Sequence, residues 1–197
     1  MEAVDEFDGS FGWIQDEFLE RCSHALVVDE RVWLIDPVAD AGIEERIGAA
    51  GEPAAVIQLL DRHSRDCAVL AGRFGVPHHV VPRSPLPPFE FQSIRETRWW
   101  NEVALWWPEP GVLVCADALG TATYYRTRGE RLAVHPVLRV RPPRRELGGL
   151  SPQRILCGHG PGVHANADEA LLEALRTARR RLPSQLATSA RAWLARR

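Results

Sequence analysis

Four polar groups in this 197-residue chain follow directly after short apolar runs that are typical of β-strands. They are Asp36, the turn DRHSRDC at residues 61–67, Asp117 and His159. In proteins that alternate strands and helices, the loops after the strands gather at one edge of the sheet, where the sheet holds them rigidly. We therefore expect a reactive site, if the chain has one, to be built from these four places.

The elements that must position these groups follow an α/β pattern in the first half of the chain. Two β-prone runs at 25–28 and 32–35 predict a hairpin, and the apolar spacing of 41–50 and 65–74 predicts two helices. Further strands are predicted at 54–60 and 78–81. The order is strand, strand, helix, strand, helix, strand.

The second half begins with a proline-rich loop at 82–92 and returns to strands at 103–107, 112–115 and 154–157. Two helices are predicted to close the chain, at about 166–182 and 184–196, with Pro183 ending the first of them. The length of 197 residues and the 45% hydrophobic content suit one domain, residues 1–197.

The order of these polar groups resembles the metallo-β-lactamase fold family. In that family a strand ends in a Leu-Ile-Asp run, here 34–36, and a turn with the pattern HxHxDH opens a helix, here 61–67. A later strand ends in Gly-Asp, matched here by Ala116-Asp117, and a last strand ends in Gly-His, here 158–159. The resemblance covers about residues 25 to 170. It implies an α/β fold that is a four-layer αββα sandwich, with two facing sheets and helices on both outer sides, and it implies metal-dependent hydrolysis.

Most of the family's histidine ligands are missing. When Asp66 is aligned with the aspartate of HxHxDH, Arg62 and Ser64 fall on the first two histidines and Cys67 on the third. The family's next histidine has no counterpart in the stretch 94–107. Because a guanidinium cannot bind a cation, the resemblance implies that the metal position built from these histidines is empty, and that Arg62 places a permanent positive charge there.

The second metal position keeps four possible ligands: Asp66, Cys67, Asp117 and His159. Thiolate, imidazole and carboxylate groups all suit zinc, so one divalent ion, zinc, iron or manganese, could bind, with Asp66 and Asp117 as catalytic carboxylates. In the alternative interpretation no metal binds, the carboxylates pair with Arg62 or Arg65, and Cys67 is a small buried hydrophobic residue.

Four further residues are expected to line the cleft around this position: Arg62, His63, Ser64 and His164. His63 occupies a variable position of the motif, which favours a hydrogen-bonded or exposed side chain over a ligand. His164 follows the Gly-His loop, so it lies either at the cleft or at the start of the next helix.

Two functions remain open. The first is a divergent protein that lacks the dinuclear centre and is non-catalytic, its cleft binding a small-molecule ligand or a partner. The alternative is a mononuclear metal-dependent hydrolase of a small ester, thioester or lactone.

Composition restricts the partners. The net charge of −2 and the absence of a basic stripe disfavour nucleic acid, and so does the loss of the histidines. No signal-peptide pattern and no run of eighteen apolar residues is present, so we expect a cytoplasmic protein without membrane contact, whose four cysteines are free thiols. The sequence leaves the oligomeric state open.

Overall fold

The computed structural model describes residues 2–194, and the side chains of residues 2–187. A six-stranded sheet is built in chain order from the first half of the sequence. Its strands are β1 (Glu2–Phe7), β2 (Ser10–Ile14), β3 (Cys22–Val28), β4 (Arg31–Ile35), β5 (Glu52–Gln58) and β6 (His78–Val80). The first four strands pair antiparallel, whereas β4, β5 and β6 are parallel.

A second, four-stranded sheet has the order β12-β9-β8-β7. Its strands are β7 (Glu90–Thr97), β8 (Trp100–Trp107), β9 (Val112–Cys115) and β12 (Arg154–Cys157), and two short strands, β10 (Leu119–Gly120) and β11 (Ala133–Val134), pair beside it. Strands β9 and β12 are parallel, with Cys115 opposite Cys157. Asp117 and His159 each lie two residues beyond these strand ends, so the pairing brings them side by side.

Helices cover the outer faces of the two sheets. On the six-stranded sheet, α1 (Ile43–Ala50) and α2 (Cys67–Phe74) pack against β4 and β5. On the other side of the molecule, α4 (Ala167–Leu194) packs against β11 and against β12 of the four-stranded sheet. A 3-10 helix (Pro136–Val140) and the short α3 (Arg144–Leu147) lie between β11 and β12 in the chain. This arrangement confirms the predicted α/β sandwich of two sheets and outer helices.

Two buried clusters hold the layers together. The larger lies between the sheets and continues to the inner face of α4, with Ile57, Leu105 and Leu171 among its members. The smaller lies between the six-stranded sheet and its two helices, and includes Leu34 and Cys67. Burying one such aliphatic side chain contributes about 1.5–3 kcal/mol, so both outer layers are anchored by apolar packing.

Parts of the chain differ from the sequence prediction. The loop predicted at 82–92 ends before Glu90, where β7 begins. Residues 2–14 form the hairpin β1–β2, with Gly9 at a φ of 81° in the turn after Asp8, and an Asp-Gly pair of this kind is a recognised hairpin signal. The two predicted C-terminal helices are one helix, with Pro183 inside it. An interior proline loses one backbone hydrogen bond and crowds the carbonyl four residues earlier, at a cost of about 3 kcal/mol. Packing continues beyond it, since Gln185 is buried and donates to the Tyr124 carbonyl. Residues 195 and 196 of the second predicted helix lie outside the described residues.

Across the described residues, no helix combines the length and the apolar character needed to cross a membrane.

Candidate metal centre

Three side chains from three separate loops meet in one cluster: His63, Asp117 and His159. His63 Nε2 lies 3.1 Å and His159 Nε2 lies 3.0 Å from the same carboxylate oxygen, Asp117 Oδ1. The two Nε2 atoms are 3.4 Å apart. All three residues are buried, with 5–9% of each exposed. We refer to them as the strand-end cluster.

The other nitrogen of each ring is held by a fixed acceptor. His63 Nδ1 lies 3.0 Å from Asp36 Oδ2, and Asp36 Oδ1 in turn accepts from the Leu59 amide at 2.9 Å. His159 Nδ1 lies 2.7 Å from the Leu19 carbonyl. A carbonyl oxygen can only accept, so His159 carries a proton on Nδ1, and the carboxylate imposes the same tautomer on His63. Both Nε2 atoms therefore face Asp117, and each can hold either a second proton or a metal ion there.

The backbone around His159 depends on a glycine. Gly160 has a φ of 83°, and a Cβ there would overlap Thr121 and the Ala122 amide. The His159 carbonyl accepts from the amides of Thr121 and Ala122. The Gly-His-Gly sequence thus lets the loop after β12 pack directly on the residues that follow β10.

Glu102 holds the loop that carries Asp117. One of its carboxylate oxygens accepts from the amides of Asp117 and Ala118 at 2.9 and 2.8 Å, and the other accepts from Trp100 Nε1 at 2.7 Å. Complete burial raises the pKa of Glu102 to about 7, helped by the nearby Asp117. A lone glutamate inside the apolar strand WNEVALWW is the sequence signal for this residue, which lies outside the metal-ligand motif.

The electrostatics of the strand-end cluster favour a positive charge beside the Asp117 carboxylate. Burial would raise the pKa of Asp117, but hydrogen bonds with His159 and His63 outweigh it and hold that pKa well below its usual range. Burial and Arg65 would lower the pKa of His63, but Asp117 and Asp36 outweigh them and raise it. The Asp117 carboxylate is therefore ionised. Because it would repel a bare nitrogen lone pair, each Nε2 atom near it must hold either a proton or a metal ion.

The separations fit one metal ion. Two ligands at about 2.0 Å from a tetrahedral zinc ion are roughly 3.3 Å apart, and the three ligand atoms here are 3.0, 3.1 and 3.4 Å apart. Ligating histidines also donate their second N–H to a carboxylate or backbone carbonyl, as both rings do here. Among the described side chains this is one of two groups suited to a metal ion.

Comparison with solved structures gives the fold. The chain matches a metallo-β-lactamase from Erythrobacter litoralis (13% identity, 88% of this chain and 91% of that chain, TM-score 0.57) and one from Pontibacter korlensis (10%, 89% and 98%, 0.55). It also matches TTHA1623 in a di-iron-bound form (20%, 83% and 96%, 0.56). The chain has the metallo-β-lactamase fold. No family model and no curated protein matches the sequence.

On this fold the structure brings together only part of the predicted metal-ligand set. Asp117 and His159 meet, but His63 completes the cluster in place of Asp66 and Cys67. The Asp66 carboxylate accepts from the Ala39 amide at 2.8 Å. Cys67 belongs to the buried cluster beneath α1 and α2, where burial raises the pKa of its thiol.

The turn at 61–67 explains this difference. Arg65 has a φ of 37°, a left-handed conformation that turns the chain just before α2. Its guanidinium donates to the carbonyls of Cys22, Asp36 and Gly158, at 2.6, 2.8 and 2.9 Å. Arg65 thereby ties together three strand ends, and the turn directs His63 inward.

The other predicted cleft residues lie elsewhere. Arg62 is exposed, stacks 4.6 Å from the centre of the Trp100 ring and donates to the Trp99 carbonyl. Ser64 is exposed. His164 Nε2 lies 2.7 Å from Asp5 Oδ1, in a second group of polar side chains.

Aromatic side chains cover the strand-end cluster. The Tyr125 ring stacks on His159 with 5.9 Å between centroids, and its hydroxyl donates to the Asp117 carbonyl at 3.0 Å. Tyr124 lies 5.9 Å from His159 and packs against Phe18, whose own loop also supplies the Leu19 carbonyl. The loop before β3 and Tyr124 therefore cover the His159 side of the cluster.

Proposed function

We propose that this chain binds one divalent metal ion through His63, Asp117 and His159 and hydrolyses a small ester, thioester or lactone. One observation carries the proposal: both imidazoles are fixed through Nδ1 and direct Nε2 at a single carboxylate oxygen. Imidazole and carboxylate ligands suit zinc, iron and manganese. Three protein ligands leave a coordination position open, as in catalytic zinc sites.

A bound divalent ion in such a site supplies Lewis acidity and lowers the pKa of a bound water to about 7. The chain's own residues supply orientation. Asp36 and the Leu19 carbonyl hold the two rings, and Glu102 holds the backbone of Asp117. Tyr124 and Tyr125 exclude water from one side of His159.

Arg65 contributes a fixed positive charge near His63, where it acts to lower the pKa of the ring. Because its guanidinium is bound to three carbonyls, this charge stays in place whichever ligand enters. A developing negative charge on a substrate oxygen would be stabilised by such a preorganised cation.

A second candidate function is ligand or partner binding without catalysis and without a dinuclear centre. It is favoured by the small exposure of the cluster, 5–9% for each of its residues. In this case the loop before β3 would open for a ligand and no hydrolysis would follow.

Metal analysis and an esterase assay on purified protein test the proposal. We expect the zinc-loaded protein to hydrolyse simple esters, thioesters or lactones, and we expect His63→Ala to lose more than about 100-fold in rate, since removing even an outer-sphere partner typically costs 10- to 100-fold. His79→Ala, in β6 and outside the cluster, is the matched control and should retain activity.

The two candidates give different results. Protein whose strand-end cluster stays metal-free after incubation with zinc, iron and manganese contradicts the metal proposal. Protein that binds metal there, loses it on His63→Ala and hydrolyses none of the three ester classes supports the second candidate.

A further inference from the structure

A second group of metal-binding side chains lies inside the six-stranded sheet, away from the strand-end cluster: Asp5 on β1, with Cys22 and His24 on β3. His24 Nε2 lies 3.3 Å from Asp5 Oδ2 and 3.5 Å from Cys22 Sγ, and Cys22 Sγ lies 4.0 Å from Asp5 Oδ2. Cys22 and His24 are buried to 0% and 1% exposure, and Asp5 to 8%. We call this group the in-sheet cluster.

The backbone is shaped to bring these side chains together. Cys22 and His24 are two residues apart on one strand, so their side chains share a face. Asp5 has a φ of 55° at an irregularity in the pairing of β1 with β2, and such a bulge re-aims a side chain. An aspartate tolerates this conformation better than most residues.

Strand β2 lies between β1 and β3, and it leaves room for the contact. Gly12 on β2 pairs with Val4 on one side and His24 on the other. A Cβ at Gly12 would lie 3.0 Å from His24 Cδ2 and 3.2 Å from a Val4 methyl. Glycine at this position lets Asp5 and His24 meet across the middle strand.

The group suits zinc in distance and in charge. A thiolate at about 2.3 Å and an imidazole at about 2.0 Å from a tetrahedral zinc ion are roughly 3.5 Å apart, which is the separation of Cys22 Sγ and His24 Nε2. A carboxylate and a thiolate together neutralise a divalent cation, so the loaded group would carry no net charge into the protein interior. The contacts of the thiol with Asp5 and the Ser23 carbonyl, 4.0 and 3.9 Å, are long for hydrogen bonds.

The other carboxylate oxygen of Asp5 is held from a distant part of the chain. Asp5 Oδ1 accepts from the Gly162 amide at 2.8 Å and lies 2.7 Å from His164 Nε2. These partners orient the carboxylate, so His164 is a positioning residue. They also join β1 to the loop that follows β12.

We propose that Asp5, Cys22 and His24 bind a zinc ion that fixes the N-terminal hairpin to β3 and to the loop at 161–164. This site shares no ligand with the strand-end cluster and does not depend on the proposed hydrolysis. Its function is structural: the three ligands leave a fourth zinc position, but Cys22 and His24 are 0% and 1% exposed, which closes that position to a substrate, and the ion's charge is fully balanced.

Cobalt substitution of the full chain tests this proposal directly, since a thiolate bound to Co²⁺ gives a near-ultraviolet charge-transfer absorption that histidine and carboxylate ligands do not. We expect metal-stripped protein to develop this absorption when Co²⁺ is added, and zinc to remove it by displacement. Cys22→Ala should abolish it and His164→Ala should weaken Co²⁺ binding about 10- to 100-fold.

Cys67→Ala is the matched control, because Cys67 is also a buried free thiol but lies outside the in-sheet cluster. The absorption should survive in Cys67→Ala and in Asp117→Asn, which separates this site from the strand-end cluster. Folded wild-type protein that gives no thiolate absorption at saturating Co²⁺ overturns the proposal, whether or not the variants fold. An absorption that survives Cys22→Ala, or that is lost in Cys67→Ala, overturns it as well.

Discussion

The two histidine–carboxylate clusters differ in where their ligands are attached and in how much charge they offer. His63, Asp117 and His159 come from loops after strand ends, and only one of the three is negative. Asp5, Cys22 and His24 lie on strands, and a thiolate adds a second negative charge there. A divalent ion would keep a net charge of +1 in the first cluster and none in the second.

That difference separates a reactive centre from a structural one. An ion with residual positive charge polarises a bound water or a carbonyl more strongly than an ion whose charge its ligands neutralise. Loops at a strand edge can also admit a ligand, whereas Cys22 and His24 lie on β3, which is paired on both sides and cannot move without breaking the sheet. We therefore assign catalysis to the strand-end cluster and stability to the in-sheet cluster.

The largest expected effect is on stability at the in-sheet cluster. In an Asp117→Asn background, zinc at 100 times its dissociation constant should raise the free energy of unfolding by about 2.7 kcal/mol. Adding Cys22→Ala should remove that gain, and adding Cys67→Ala should leave it. Urea unfolding with zinc and with a chelator measures the difference, and a zinc-dependent gain that persists without Cys22 would refute the assignment.

The next effect concerns the support of His63. Asp36→Asn should lower the metal affinity of the strand-end cluster about 10- to 100-fold, because the ring loses the carboxylate that fixes its tautomer. Asp66→Asn is the matched control: Asp66 bonds the Ala39 amide, an amide side chain can still accept there, and affinity should change little. Titration of metal into both variants in a Cys22→Ala background checks this, and equal losses in the two would count against the cluster.

The smallest effect is an acid-dependent loss of stability beside the strand-end cluster. Burial lowers the pKa of His135 to about 4, against 6.5 in an unfolded chain, so neutral His135 stabilises the fold above pH 6.5. This contribution is lost as the pH falls from 6.5 toward 4. Between pH 7 and 5 the free energy of unfolding of the wild-type protein should fall by up to about 2 kcal/mol more than that of His135→Asn. The same pH dependence of unfolding in the two proteins would exclude this role.

Much of the fold could be predicted from the sequence, because each polar strand end is a local feature. Asp117 and His159 were placed correctly at neighbouring strand ends, since β9 and β12 pair in parallel. That His63, and not Cys67, faces Asp117 and His159 could not be foreseen from the motif, because it depends on the left-handed turn at Arg65. A turn of this kind decides which side chain faces inward, and spacing alone does not encode it.

The in-sheet cluster shows a second limit. The Cys22-Ser23-His24 spacing on a β-prone run is visible in the sequence and places two ligands on one face. Asp5, however, lies on another strand, and its partner His164 is 159 residues away from it in the chain. Such a contact follows only from the order of strands in the sheet and from the loop after β12, so neither residue could be assigned to it beforehand.

Anomalous diffraction from crystals of the zinc-loaded protein tests the central claim most directly. The account predicts a peak in bonding contact with both Nε2 atoms and Asp117 Oδ1 of the strand-end cluster. A fully loaded crystal with no peak there, or with a peak bound by Asp66 and Cys67, would contradict it.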